Sequence, residues 1–144
     1  MAFEDLPVGV TFTTEAQAIG LQEILDFARI WDPQPFHIDA EAAAASPFGG
    51  IIASGFHTML VAFVLTLRAG VWTDASMGSP GMDEIRWLQP VRPDDVLHVR
   101  AEVVSSKAST SKPDRGFTVI RYDVHRADGV KVMTYSATHI LRRR

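Results

Sequence analysis

The sequence predicts an α+β fold, a strongly curved antiparallel sheet around one long apolar helix. Three observations lead there. Residues 55–70, GFHTMLVAFVLTLRAG, read as a helix whose middle, 59–67, is interrupted only by Thr66. A helix apolar on every side is expected to be buried on every side. Four strand-like runs follow it, at 82–88, 96–104, 117–126 and 130–141. In the second of these the alternation is clean: Leu97, Val99, Ala101 and Val103 share one face, and His98, Arg100 and Glu102 the other. That is the signature of an antiparallel sheet with one buried and one wetter face.

Taken in chain order, residues 10–17, VTFTTEAQ, alternate weakly and are expected to form a strand. Leu21, Ile24, Leu25, Phe27 and Ile30 approximate helical spacing. Pro33 disfavours helix at Asp32, so that helix should stop there. Asp39 is placed to cap a short helix over 40–45, with Glu41 in a first turn whose dipole favours an acid. SPFGG (46–50) is a turn signal, and Gly70 suits the C-cap of the long helix. Ala127-Asp128-Gly129 joins the last two strands tightly, whereas the polar stretch 105–116 reads as a long hairpin loop.

Composition narrows the function classes. With 144 residues, 47% hydrophobic and 22% charged, the chain is expected to be one globular domain over 1–144. A net charge of −3 argues against nucleic acid as a partner. The closing Arg142, Arg143 and Arg144 read as a solvated tail. There are no cysteines, which excludes disulfides, thiolate metal sites and cysteine nucleophiles. The start, MAFEDLPVGV, lacks the basic and apolar regions of a secretory signal. The most apolar run is far shorter than the roughly 20 residues needed to span a bilayer. No membrane association and a cytoplasmic location are therefore expected.

Two stretches could carry chemistry. In WDPQPFHID (31–39), Asp32 and His37 stand five apart with Pro33 and Pro35 between them. Prolines can fix such a segment in an extended, bent form at low entropic cost. A carboxylate beside an imidazole is equipment for general acid–base work. The plainer reading makes Asp32 a turn residue and His37 a satisfied loop histidine. In IIASGFHT (51–58), Ser54 can cap a helix beginning at Gly55, whose first turn leaves backbone N–H groups free. A donor there is what a developing oxyanion needs, and a glycine lets a ligand approach closely. The plainer reading is simple capping, with Gly55 chosen for packing. His57 is expected to be a packed, hydrogen-bonded core residue, His98 and His125 exposed, and His139 undecided. No metal-binding spacing, nucleophile elbow or phosphate loop is present.

Together these stretches resemble the MaoC-like dehydratase family, which includes the (R)-specific enoyl-CoA hydratases. The family motif runs Asp-x-Asn-Pro-x-His-x-Asp, then an alanine-rich helix, a Phe-Gly turn and an Ile-x-His-Gly helix start. Here it stands as Asp32-Pro33-Gln34-Pro35-Phe36-His37-Ile38-Asp39, the helix 40–45, Phe48-Gly49, and Ile52-Ala53-Ser54-Gly55. RWLQPVRPDD (86–95) resembles the strand and turn that follow the helix in the family, and the likeness runs from about residue 5 to 141. The resemblance implies a hotdog fold, a dimer, and an active site between subunits. Asp32 and His37 would hold one water for addition to a trans-2-enoyl thioester, or its removal from the 3-hydroxyacyl product. The Gly55 N–H would bind the thioester oxygen, and Ser54, Phe36 and Phe48 would border the substrate. No cofactor is implied beyond coenzyme A as part of the substrate, and no metal. Two departures stand out: Gln34, with the additional Pro33, replaces the usual Asn, and Ser54 replaces the usual His.

Two other readings compete. Hotdog thioesterases share the fold but generally carry an acid or glutamine elsewhere, often on the central helix, which is apolar here after His57. A non-catalytic acyl-CoA binder is motivated by the departures at Gln34 and Ser54. A homodimer is expected on independent grounds, since one subunit leaves a sheet edge unpaired.

Overall fold

Helical periodicity carries the first helix as far as the proline allows. In the computed structural model, which describes residues 1–144, α1 (Leu21–Trp31) buries Ile24 and Ala28 and leaves Ile30 and Trp31 outside. Asp32 ends it, donating its N–H to the Ala28 carbonyl. One turn, α2 (Pro35–Ile38), follows with Pro35 at its first position, where a missing N–H costs nothing. Asp39 then caps α3 (Ala40–Ala45) by accepting from the Glu41 and Ala42 N–H groups. An Asp39→Ala substitution is expected to cost about 1 kcal/mol of stability. A urea midpoint identical to that of the parent chain would show the cap to be idle.

The long helix, α4 (Gly55–Ala69), starts and stops as expected: Ser54 accepts from the Phe56 N–H, and Gly70 takes the left-handed C-cap conformation at φ 71°. Its burial differs from the expectation. His57, Thr58, Val61, Ala62, Leu65 and Thr66 are buried, but Phe56 (59%), Leu60 (51%) and Phe63 (43%) are exposed along one stripe. A single sheet covers only one side of a cylinder, so the apolar opposite side is left uncovered.

The sheet is antiparallel throughout. Its strands are β1 (Thr11–Thr13), β2 (Gln17–Ala18), β3 (Gly81–Trp87), β4 (Val96–Ala108), β5 (Arg115–Arg126) and β6 (Lys131–Arg142), in the order β1-β4-β5-β6-β3, with β2 also on β4. Its inner face buries Leu97, Val99, Ala101 and Val103 of β4, Ile120, Tyr122 and Val124 of β5, and Met133 and Tyr135 of β6. This is the hotdog arrangement, with α4 against the inner face.

Four local expectations are corrected. The first strand breaks in two, because the Thr14 hydroxyl takes the Val99 N–H at 2.9 Å in place of a ladder carbonyl. The polar stretch 105–116 is loop only over 109–114: pairing continues to Ala108↔Gly116, since backbone bonds need no apolar side chains. The closing arginines are not a free tail. Arg142 lies in β6, and Arg143 and Arg144 pair with Glu4 and Asp5. His98 and His125 are directly opposite across β4 and β5, so their rings stack at 5.4 Å instead of standing free in water.

A bulge in β3 matters for the site. Asp83 pairs with Ser136 and Arg86 with Thr134, so Glu84 and Ile85 oppose one residue, and Glu84 adopts φ 53°. Met82 pairs with Ala137 and Trp87 with Met133. Five residues apart, Met82 and Trp87 would face opposite ways in a regular strand, but the bulge turns both inward.

His139, undecided from sequence, is buried. Its Nε2 lies 2.7 Å from the Tyr122 hydroxyl, and its ring packs on Trp72 at 4.3 Å. Burial pushes its pKa down from 6.5 to about 4. The unfolded chain therefore binds a proton that the folded chain refuses, and stability should fall as pH drops from 6.5 towards about 4. The full loss on this account is roughly 3 kcal/mol. Urea midpoints at pH 7.5 and pH 4.5 measure it, and His139→Gln should flatten the dependence. His57, also lowered by burial, leaves a smaller slope of the same sign. An unchanged slope in the variant would refute the assignment.

Candidate active site

The two prolines act separately. The Gln34 N–H donates to the Asp32 carbonyl at 2.8 Å, a γ-turn centred on Pro33, whose locked φ suits that conformation. Pro35 then opens α2, so the segment is a tight turn and a helical turn in place of the expected extended bend. The γ-turn swings the Gln34 side chain back until its amide donates to Asp32 Oδ1 at 2.7 Å. Pro33 and Gln34, the first departure from the family motif, are thus one device for holding Asp32.

His37 is fixed from the other side. Its Nδ1 lies 2.6 Å from the Ile52 carbonyl, which can only accept, so Nδ1 carries the proton. Nε2 is turned to Asp32 Oδ2 at 3.3 Å, with the imidazole almost fully buried and the carboxylate partly so. The segment supplying Ile52 is pinned by Ile52 N–H to the Phe36 carbonyl and by Ala53 N–H to the Val91 carbonyl. It leads directly into Ser54 and Gly55, so one extended strand of backbone sets both the imidazole and the start of α4.

Ser54, the second departure, is fully buried. Its hydroxyl donates to Asp32 Oδ2 at 2.7 Å and accepts from the Phe56 N–H. Partial burial pushes the Asp32 carboxyl up, but the hydrogen bonds from Gln34 and Ser54 and the neighbouring His37 outweigh it. The carboxyl therefore sits below its ordinary value and is ionised at neutral pH.

Asp32, His37 and Gly55 border one cavity of about 480 Å³, with Gln34, Phe48 and Phe56. Phe48 lines the cavity. Ser54 and Phe36 do not reach the cavity: Ser54 faces Asp32 and the helix, and Phe36 packs behind, against His37 and Phe48. The Gly55 N–H, at the helix start, makes no hydrogen bond within the chain.

Sequence reasoning missed Trp87. Its indole N–H donates to the Gly55 carbonyl at 2.9 Å, and a Cβ at Gly55 would fall 2.6 Å from the ring. Packing thus accounts for the glycine. The only sequence signal was the RWLQP run, and the bulge that turns Trp87 inward leaves no mark of its own. His57 is packed as expected, stacked on Phe27 at 4.6 Å, but its Nδ1 has no hydrogen-bond partner. No group of three or more His, Asp or Glu side chains converges as metal ligands would, and no helix is long and apolar enough to cross a membrane.

Fold and site define a hotdog protein with an acid–imidazole pair facing the start of its central helix. The family described as MaoC like domain matches residues 5–122, and the chain belongs to it. The crystal structure of a MaoC-like dehydratase from Rhodospirillum rubrum superposes with a TM-score of 0.93 at 36% identity, over 100% of this chain and 98% of that one. Protein YdeM of Bacillus subtilis, described as uncharacterized, is 28% identical over 99% of this chain and its own full length. The 3-hydroxybutyryl-CoA dehydratase of Methylorubrum extorquens is 34% identical over 70% of this chain, which covers 62% of that protein.

Proposed function

We propose that the protein adds water to a trans-2-enoyl-CoA thioester to give the (R)-3-hydroxyacyl product, or catalyses the reverse dehydration. The observation that carries this reading is the 3.3 Å approach of Asp32 Oδ2 and His37 Nε2 in a cavity also bordered by Gly55, whose N–H makes no hydrogen bond within the chain. A water seated between Oδ2 and Nε2 is aimed at C3. His37 Nε2 accepts its proton while the oxygen bonds to C3. The electrons of the double bond move towards the thioester oxygen, which the Gly55 N–H and the helix dipole stabilise. His37 then returns the proton to C2, and Asp32 balances the charge the ring carries meanwhile. The likeness to a 3-hydroxybutyryl-CoA dehydratase supports the reaction class.

The test is to mix the purified protein with crotonyl-CoA and longer enoyl-CoAs, follow the enoyl absorbance and resolve the product's stereochemistry. No change at any chain length, or an (S) product, refutes it. The thioesterase reading gains nothing: the α4 residues bordering the cavity are Gly55, Phe56 and Thr58, with no carboxylate.

The same reading includes a homodimer acting in the cytoplasm. The exposed stripe Phe56, Leu60 and Phe63, and the unpaired edge of β3, are surfaces that a second copy would cover. Light scattering at micromolar concentration should give twice the chain mass, and a monomer would exclude the dimer.

A further inference from the structure

His98 on β4 and His125 on β5 are direct partners in the ladder, on the face of the sheet opposite to Leu97 and Val99. Opposed residues of an antiparallel pair hold their Cβ atoms about 5 Å apart. The two imidazoles lie nearly parallel, with 16° between their planes and 5.4 Å between their centres. None of their four ring nitrogens makes a hydrogen bond within the chain, unlike those of His37 and His139. Nδ1 of His125 is also shut off from solvent without a partner. A buried polar atom left so is costly, and native structures seldom keep one unless something fills the need.

Stacking accounts for the contact of the ring faces and leaves the nitrogens unused. Paired imidazoles are what a borderline divalent cation takes as ligands, at about 2.0–2.1 Å per nitrogen. A tetrahedral ion with bonds of that length needs its two nitrogens ~3.4 Å apart. The ladder already fixes both backbones, so only side-chain rotations remain. Both rings are half-buried, and His125 borders an open groove of about 300 Å³, which leaves room for an ion and its waters.

The surroundings select the ion. No cysteine is present to supply a thiolate. Asp123, two residues from His125 on the same face, is already engaged. It accepts from the Thr134 hydroxyl at 2.7 Å and lies 3.4 Å from Lys131 and 3.9 Å from Arg121. Calcium and magnesium, which need several oxygen ligands, are therefore poorly served. Lys131, opposite His125, and Arg100, two residues from His98, repel any dication. Only an ion that bonds strongly to nitrogen overcomes this, and copper does so best among the first-row dications.

We propose that His98 and His125 form a two-histidine site for a divalent copper, nickel or zinc ion, which clips β4 to β5 on the outer face of the sheet. Waters complete its coordination. The site shares no residue with the Asp32–His37 cavity and is independent of the hydratase reading.

The test is calorimetry on the intact, metal-free protein with zinc chloride and with copper sulfate in a non-chelating buffer. Both ions should bind in the micromolar range, copper the more tightly. The copper electron paramagnetic resonance spectrum should show coupling to two imidazole nitrogens. His98→Gln and His125→Gln should each weaken binding by more than about a hundredfold, since even the outer partners of a metal ligand are worth 10–100-fold. Ion at a hundred times its dissociation constant should raise the melting temperature of the parent chain by about 5–10 °C, and that of neither variant. Copper should also broaden the ring proton signals of His98 and His125 before those of His37, a readout that needs no variant to fold. No binding tighter than about 1 mM, fewer than two coupled nitrogens, or calcium bound as tightly as zinc would overturn the proposal. So would binding that survives both variants and is lost in His37→Ala, which would put the ion in the catalytic cavity.

Discussion

An Asp32→Asn variant is expected to hydrate crotonyl-CoA about a thousandfold more slowly than the parent chain, with KM nearly unchanged. The amide keeps the size of the carboxylate and can still accept from Ser54 or Gln34, so the turn around Pro33 should survive. What it loses is the negative charge 3.3 Å from His37 Nε2. On the proposed mechanism, the ring that takes the water's proton would then have no balancing partner in a partly buried site. His37→Ala removes the acceptor itself and should cost about as much. The double variant should be little worse than either single one, because the two groups act on one proton. Thermal melts should shift little for Asp32→Asn, which separates a chemical loss from a folding loss. A variant with the parent's kcat would remove the pair from the mechanism.

Gly55→Ala is expected to damage both stability and activity. The new Cβ would lie 2.6 Å from the Trp87 indole, which is tied to the Gly55 carbonyl by its own N–H. The ring must shift, at a cost of about 1–3 kcal/mol for overpacking. Activity should fall about a hundredfold as the cavity wall moves and the N–H beside it loses its aim. Trimming the ring in the double variant Gly55→Ala, Trp87→Leu should restore the melting temperature, and activity should follow it. If stability returns and activity does not, the glycine is needed for the ligand's approach as well as for the indole.

These two residues also show how far the sequence could be read. Asp32 and His37 were legible because they are close in sequence and match a family motif; on their spacing alone the plainer turn reading stood. What holds them was not legible. The Ser54 hydroxyl reaches Asp32 across 22 positions of sequence, and Ile52 reaches His37 across 15. Neither Gln34 nor Ser54 looked like part of the acid's environment: Gln34 stood out only as a departure from the family motif, and Ser54 as a departure and a helix cap. Ser54 was expected at the substrate and is instead spent on the carboxylate. The two caps on α3 and α4 were legible, because capping is decided within one turn.

By itself the sequence determined most of the element types, the inner face of β4 and the starts of α3 and α4. All of these depend on periodicity, proline and short-range hydrogen bonding, which act within a few residues. Only the tertiary structure decided which sides of those elements meet. It left the Phe56, Leu60 and Phe63 stripe of α4 uncovered, because one sheet cannot enclose a helix. It turned Trp87 inward through the bulge at Glu84 and Ile85, because a two-against-one pairing shifts the phase of the strand. And it closed the ring of donors around Asp32, because those donors come from separate segments that only the packed chain brings together.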